Sequence, residues 1–229
     1  MIKVENIDSW GFEHAIRGMR NPMNSWQKSD SYQSDFTDDD KHGFVIGPND
    51  MDLMRRLYKA GQEHRKYLRQ IFVSMDITAP LYWWKEFDTY KVSTVANSCS
   101  TMHKIAEKEF ELDDFSHEHL IENVEISDPL TVIFVDRYGG PTSILGLTID
   151  ILNVCRSKYL ETKDKKFWWQ MIQLLPASYN QRRTVTMNYE NVMSIINQRT
   201  GHKLDEWNTF VDILKSLPYI KEIRGESDG

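Results

Sequence analysis

Between Thr89 and Met102 the chain reads Thr-Tyr-Lys-Val-Ser-Thr-Val-Ala-Asn-Ser-Cys-Ser-Thr-Met, a run of hydroxyl and amide side chains around one cation, Lys91. Such side chains hydrogen-bond locally instead of filling a core, so the run predicts a polar loop able to hold a ligand. Other chemistry-bearing residues have plainer readings. His117-Glu-His119 resembles a metal pair, but side chains at i and i+2 share a side only on a strand and no further ligand is fixed, so a solvated acidic turn is expected and no metal site. Trp83-Trp84 and Trp168-Trp169 could stack ring systems; amphipathic helices that bury one Trp of each pair explain them more simply. Arg182 and Arg183, adjacent on an expected strand, face opposite sides, so at most one serves any single cleft. Arg199, near a helix end, complements the macrodipole there.

The chain that must position these groups has 229 residues, which suits one large domain or two intimately packed small ones, and its 40% apolar content is enough for a continuous core; a single domain over 1–229 is expected. With 28 basic and 34 acidic residues the net charge is −6, which argues against a protein built to coat nucleic acid or an anionic membrane. Two cysteines, Cys99 and Cys155, offer neither a disulfide framework nor a zinc ribbon and suggest a reducing, cytoplasmic setting. The first residues lack the basic-then-apolar run of a signal peptide, and no stretch approaches the roughly 18 apolar residues of a membrane span, so a soluble protein is expected.

Met1 to Asp8 alternates loosely and reads as a strand, with Asp8 capping a short helix through Arg20. Residues 24–43, centred on Asp38-Asp39-Asp40, read as a mobile acidic surface loop; the alternating ligands and turn glycine of a calcium loop are missing. Asn49 or Asp50 offers a cap for a helix reaching Arg69, with a possible break at Gly61. Ile71, Val73, Met75 and Ile77 alternate with Phe72, Ser74, Asp76 and Thr78 as a strand, and Pro80 opens an aromatic-rich helix through Phe87. Helices follow over 102–110, 143–159 and 167–175, then a strand over 183–187. Asn188 is placed as N-cap of a helix ending near Gly201, and a last helix covers 204–217. Helices outnumber scattered strands, which defines an α+β domain.

Two segments together resemble the flavin-dependent thymidylate synthase family. Ile71 to Thr94 is similar to the family's strand, Ala-Pro, helix and following signature Arg-His-Arg-x-x-Ser-x-Asn-Glu-x-Ser-x-Arg-Tyr. Leu175-Pro176, then Thr186-Met-Asn188, a helix and Arg199, is similar to its Leu-Pro, Thr-Val-Asn and Leu-Arg block. The likeness covers 64–104 and 170–210. Counted without a gap from Ala79-Pro80, Arg-His-Arg falls on Thr89-Tyr90-Lys91 and the first Ser on Thr94. A one-residue insertion then puts Asn97 and Ser100 on the Asn and second Ser, whereas a gapless reading puts Cys99 on that Ser. The closing Arg-Tyr becomes Thr101-Met102 or Met102-His103. An Arg two residues after the Asn has become Glu190.

The resemblance implies a thymidylate synthase-complementing-protein-like fold, with helices on a small mixed or antiparallel sheet. It also implies FAD, with NADPH and methylenetetrahydrofolate as co-substrates, a homotetramer, and reductive methylation of dUMP or a related pyrimidine nucleotide. His64, Lys91, Thr94 and Asn188 then fall at cofactor-binding positions, and Ser100, Arg182 and Arg199 at substrate-binding ones. Arg199 takes the catalytic part, polarising the uracil carbonyl while reduced flavin delivers a hydride. Cys99 is either a thiolate nucleophile beside the pyrimidine or a small packing residue. Losing the first and last signature arginines removes bidentate phosphate ligands that Lys does not replace, which also admits a non-catalytic homologue, a nucleotide-binding or protein-interaction module.

Overall fold

A computed structural model of the chain describes residues 1–34, 43–121 and 141–226. Four strands form one sheet: β1 (Lys3–Trp10), β4 (Phe72–Pro80), β6 (Asn180–Asn188) and β5 (Thr94–Ser98), in that order across the sheet. The short β2 (Tyr32–Gln33) and β3 (Phe44–Val45) pair antiparallel on their own. Side-chain bonds fix the direction of the central pair. Thr184 Oγ1 donates to Asp76 Oδ1 at 2.6 Å and Thr186 Oγ1 to Ser74 Oγ at 3.2 Å, so the numbering rises on β6 as it falls on β4 and the strands run antiparallel. β4 shows the alternation its sequence dictates: Val73, Met75, Ile77 and Ala79 are buried, and the residues between them are half-buried. With its helices, this small sheet makes the α+β architecture expected.

By its contacts the chain divides into two compact units: Met1 with 78–87 and 98–182, and the remainder, 2–77, 88–97 and 183–229. In the first, helices α3 (Leu81–Phe87), α4 (Thr101–Lys104), α5 (Pro141–Thr162) and α6 (Lys165–Leu174) accompany a cluster of Ile105, Phe110, Phe115, Leu145, Ile149, Leu152 and Met171. The Asn153 side chain bonds both the N–H and the carbonyl of Phe110, at 2.8 and 2.9 Å, where a regular element would have used the backbone. The helix expected over 102–110 is therefore a single turn, because Asn153 and Arg156 take up the polar groups of Ala106 and Phe110 from outside. Trp83 and Trp84 are both buried, a correction to the expectation of one per pair. Their rings meet edge-on with centroids 4.9 Å apart, and Trp84 Nε1 donates to the carbonyl of Gln181 at 2.9 Å, so the indole is dry without being unsatisfied. In the second pair neither Trp is buried, which also departs from the expectation: Trp168 is half-buried against the cluster and Trp169 is exposed. His117 Nδ1 lies 2.9 Å from the carbonyl of Phe115, and no group of metal ligands occurs among the described residues.

The second unit carries α1 (Phe12–Arg20), α2 (Pro48–Lys59), α7 (Tyr189–Arg199), α8 (Asp205–Lys215) and α9 (Ile220–Arg224). α7 packs on α8 and α9 on α2, burying Val192, Ile195, Ile196, Trp207, Phe210, Leu214 and Ile223. Neither Asn49 nor Asp50 caps α2. Gly47 stands at the N-cap, and Pro48 takes the first helical position, where a missing N–H costs nothing. The free N–H groups of Asn49 and Asp50 are instead satisfied by the Asp30 carboxylate, at 2.9 and 3.1 Å, a cap supplied from a distant stretch. Asp50 turns inward to Arg20, at 2.5 Å. Likewise Asp8 lies within β1, and α1 starts after Gly11, whose φ of +93° turns the chain. The segment expected as a loop over 24–43 contains a 3-10 turn at Trp26–Lys28 and β2, while its residues 35–42, the Asp triplet among them, lie outside the described residues. Among the described residues no helix is long and apolar enough to cross a membrane.

Candidate functional site

The start of α7 forms one wall of the site. Asn188, buried at the end of β6, accepts the N–H of Asn191 on its Oδ1 at 3.0 Å, as its position before the helix predicts. With Oδ1 committed to the cap, the side-chain amide of Asn188 retains its N–H groups as donors. Asn191 in turn donates from its side chain to Thr94 Oγ1 at 2.6 Å and to the carbonyl of Tyr90 at 3.4 Å. Residues 90–94 of the polar run therefore lie against α7, and β5 begins at Thr94 where a loop was expected. Ser93, at the bend, has a φ of +60°, a left-handed conformation that costs a non-glycine residue about 1 kcal/mol and is held by the surrounding bonds.

Between these elements lies a cleft of about 330 Å³ lined by Gln62, Arg69, Val92, Ser93, Asn188, Glu190, Asn191 and Ser194. Its wall is amide, hydroxyl, guanidinium and carboxylate. Glu190 is largely buried and receives Arg65 on a single oxygen: Nε and Nη2 both reach Oε1, at 3.1 and 3.0 Å. Oε2 is buried and has no hydrogen-bond partner. Arg65 also lies over the Tyr58 ring, 5.4 Å from its centroid. Arg69 is exposed and makes no ion pair among the described residues. It also lines a second cavity of about 690 Å³, whose wall includes His64, Met19, Leu57 and Tyr67. Burial raises the Tyr67 phenol far above its ordinary pKa, and its hydroxyl donates to the carbonyl of Met54 at 2.9 Å, so it stays neutral.

Of the residues singled out in the sequence, Asn188 lines the cleft, and Thr94 is tied to it through Asn191. Lys91 is exposed next to the lining residue Val92, and its carbonyl accepts the N–H of Thr94 at 3.3 Å. His64 belongs to the larger cavity. Arg199 stands at the far end of α7 from Asn188, about 16 Å along a helix of this length. There its guanidinium stacks over Trp207 at 4.5 Å and donates from Nε to the Tyr90 hydroxyl at 2.8 Å, with Nη1 3.0 Å from His202 Nε2. Ser100 and Arg182 are in the first unit. Ser100 caps α4 by accepting the N–H of His103 at 3.1 Å, and the exposed Arg182 accepts the N–H of Cys99 on its carbonyl at 2.9 Å. Arg183, its neighbour, is paired with Asp88 in the second unit at 2.7 Å. Ser93 falls within the polar run that the sequence points to, whereas sequence reasoning missed Gln62, Arg69, Asn191 and Ser194. Only Asn191 carried a signal, since the third residue after an N-cap is the one whose N–H the cap accepts.

No protein-family model and no curated protein matches this sequence. Solved structures do match in three dimensions. Thymidylate synthase X of Helicobacter pylori, crystallised with FAD and dUMP, superposes with a TM-score of 0.65 over 98% of this chain and 97% of its own, at 16% identity. The UMP/dUMP methylase PolB of Streptomyces cacaoi, bound with 5-Br dUMP, superposes with a TM-score of 0.59 over 94% of this chain and 88% of its own, at 14% identity. The chain therefore has the flavin-dependent thymidylate synthase-like fold, over nearly its whole length. At such identity the likeness defines the architecture and leaves the chemistry to the residues.

Proposed function

We propose that this chain is a divergent flavin-dependent thymidylate synthase-type enzyme that binds FAD and carries out reductive methylation of dUMP or a related pyrimidine nucleotide. The observation that carries the reading is the meeting of the Tyr90–Thr94 segment with the start of α7 in one polar cleft. The donor set suits a flavin. An isoalloxazine edge presents carbonyls and a ring N–H, and the residues lining the cleft offer amides from Asn188 and Asn191, the Arg69 guanidinium and serine hydroxyls in answer. Asn188, Thr94 and Lys91 would hold the ring and its chain, and His64 in the adjoining cavity would approach the cofactor from the side that shares Arg69.

Bound flavin supplies the reducing equivalents, with NADPH and methylenetetrahydrofolate as co-substrates. Arg199 offers a fixed cation for a uracil carbonyl, its orientation set by Trp207 and Tyr90. Ser100 and Arg182 would contact the nucleotide within a homotetramer of the kind the family resemblance implies, working in the cytoplasm. The PolB likeness supports a uridylate as the substrate class, and the H. pylori likeness supports FAD. A second reading, a non-catalytic nucleotide-binding or protein-interaction module, is favoured by the bonds that already occupy Arg199 and by the Arg65–Glu190 pair.

Purified protein should be yellow, or become so with added FAD, and release FAD on denaturation. Mass spectrometry of copurifying small molecules identifies the nucleotide. Colourless protein that FAD does not reconstitute would reject the enzyme and leave the module.

A further inference from the structure

Lys66 and Arg69 flank the buried Tyr67 and Leu68 on the 3-10 helix Lys66–Gln70, and both line the cavity of about 690 Å³. A 3-10 helix has three residues per turn, so side chains at i and i+3 stand one above the other, about 6 Å apart along the axis. The two cations therefore share one edge. Both are exposed, and neither makes an ion pair or a side-chain hydrogen bond among the described residues. The element that carries them is fixed. Tyr67 donates its hydroxyl to the carbonyl of Met54, and Gly18 brings α1 so close that a Cβ there would collide with the Gln70 side chain. Charge around the two cavities does not cancel. Glu190 in the polar cleft is matched by Arg65, and among the described residues Glu63 is the one acid lining the larger cavity, against Lys66 and Arg69. Arg69 lines both cavities, and it is the one cation lining the polar cleft among the described residues.

We propose that Lys66 and Arg69 form an anion subsite that holds a phosphate of the ligand whose ring occupies the polar cleft, a flavin or a uridylate. This rests on the flavin and uridylate reading above and sharpens it. Both ligands carry phosphate, and a ligand seated in the cleft that extends past Arg69 enters the larger cavity, where Lys66 adds the second positive charge. The two side chains contribute differently: Arg69 offers a planar fork that can take two phosphate oxygens, and Lys66 acts as a point charge. Placement on one edge of a rigid turn lets both reach a single phosphate. Neither residue lies in the family signature, whose first and last arginines are absent from this chain.

The test is a binding titration of FAD and UMP against their phosphate-free counterparts, riboflavin and uridine, followed by flavin fluorescence and calorimetry on the wild-type chain and on the double variant Lys66→Ala, Arg69→Ala. Loss of both cations should weaken the phosphate-bearing ligand about tenfold or more and its phosphate-free counterpart about threefold or less. Each single variant should fall between, and Arg69→Lys, which keeps the charge without the fork, should recover part of the loss. A loss on FAD alone assigns the subsite to the flavin, one on UMP alone to the nucleotide, and one on both to a subsite the two share. Affinity should also fall with added salt more steeply in the wild type than in the double variant, which decides the matter where riboflavin or uridine binds too weakly to titrate. Both side chains are exposed, so the variants should keep the wild-type unfolding midpoint, which thermal unfolding checks. If FAD or UMP binds and the double variant loses neither, or loses phosphate-bearing and phosphate-free compounds alike, the inference fails while the functional reading stands. If neither FAD nor UMP binds the wild-type chain, both fail together.

Discussion

The side-chain amide of Asn191 donates a 2.6 Å hydrogen bond to the hydroxyl of Thr94, joining residues 97 positions apart. Asn191 is itself held by the Asn188 cap, so cap, helix start and polar segment form one chain of bonds along the cleft. Removing the Thr94 hydroxyl leaves a half-buried amide short of an acceptor. Thr94→Val should lower stability by about 1 kcal/mol and weaken FAD binding, because the 90–94 segment loses its anchor. Urea unfolding and flavin titration read the two effects; unchanged flavin affinity would remove the segment from the site.

Arg199 stacks on Trp207 and bonds Tyr90, so its guanidinium has a fixed place. Arg199→Ala should leave FAD bound and lower uridylate-dependent flavin oxidation by about 10²-fold or more, the scale seen when one fixed electrostatic donor is removed. Arg199→Lys keeps the charge and loses the planar stack, and should recover little of the rate. Unaltered turnover in the alanine variant would reject the role given to this side chain.

Asp50 couples stability to acid. Burial alone would raise its pKa, but hydrogen bonds from the hydroxyls of Ser31 and Ser29, from Arg20 and from the N–H of Asp30 outweigh burial and hold it below the ordinary carboxylate range. A carboxyl lowered in the folded state contributes stability above its unfolded pKa and loses it as pH falls through the folded value. Stability should therefore decline on acidification below the ordinary Asp range. Asp50→Asn should flatten that decline and, by leaving Arg20 buried without its counter-ion, cost about 3–5 kcal/mol at neutral pH. Denaturant unfolding across pH, on wild type and variant, measures both.

The two cysteines should separate by reactivity. Cys99 is exposed, whereas burial raises the Cys155 thiol above its ordinary pKa. A thiol reagent near pH 8 should label Cys99 first, since the thiolate is the nucleophile and access favours it. Labelling of the Cys99→Ser variant then reports opening of the α5 core. FAD that slows labelling of Cys99 would favour its placement on the ligand side of the polar run.

His64 is exposed and makes no side-chain bond among the described residues, so it is free to serve a ligand. His64→Ala should leave the unfolding midpoint within about 0.5 kcal/mol of wild type, as surface substitutions do. Its expected effect is confined to cofactor affinity, measured by flavin titration.

Local order was legible in the sequence. The period-two pattern of 71–78 specifies β4, because alternation alone sorts side chains between two faces. Asn188 ahead of an apolar stripe specifies α7 and its cap, and the helix expected from Pro80 runs over Leu81–Phe87, with Pro80 itself closing β4. The likeness of two segments to the flavin-dependent thymidylate synthases also pointed to the fold that the H. pylori and S. cacaoi structures share. What only tertiary structure decided are the bonds between distant residues. Asp30 caps α2 across some 20 positions, Asp50 leaves the cap to neutralise Arg20, and Asn191 reaches Thr94. Glu190 stood out in the sequence only as a reversed charge, and its lone oxygen emerged once Arg65 had taken the other. Periodicity and capping act within a few residues and can be read in order along a chain. The satisfaction of a buried polar group depends on whichever partner the fold brings near, and no spacing along the sequence encodes that partner.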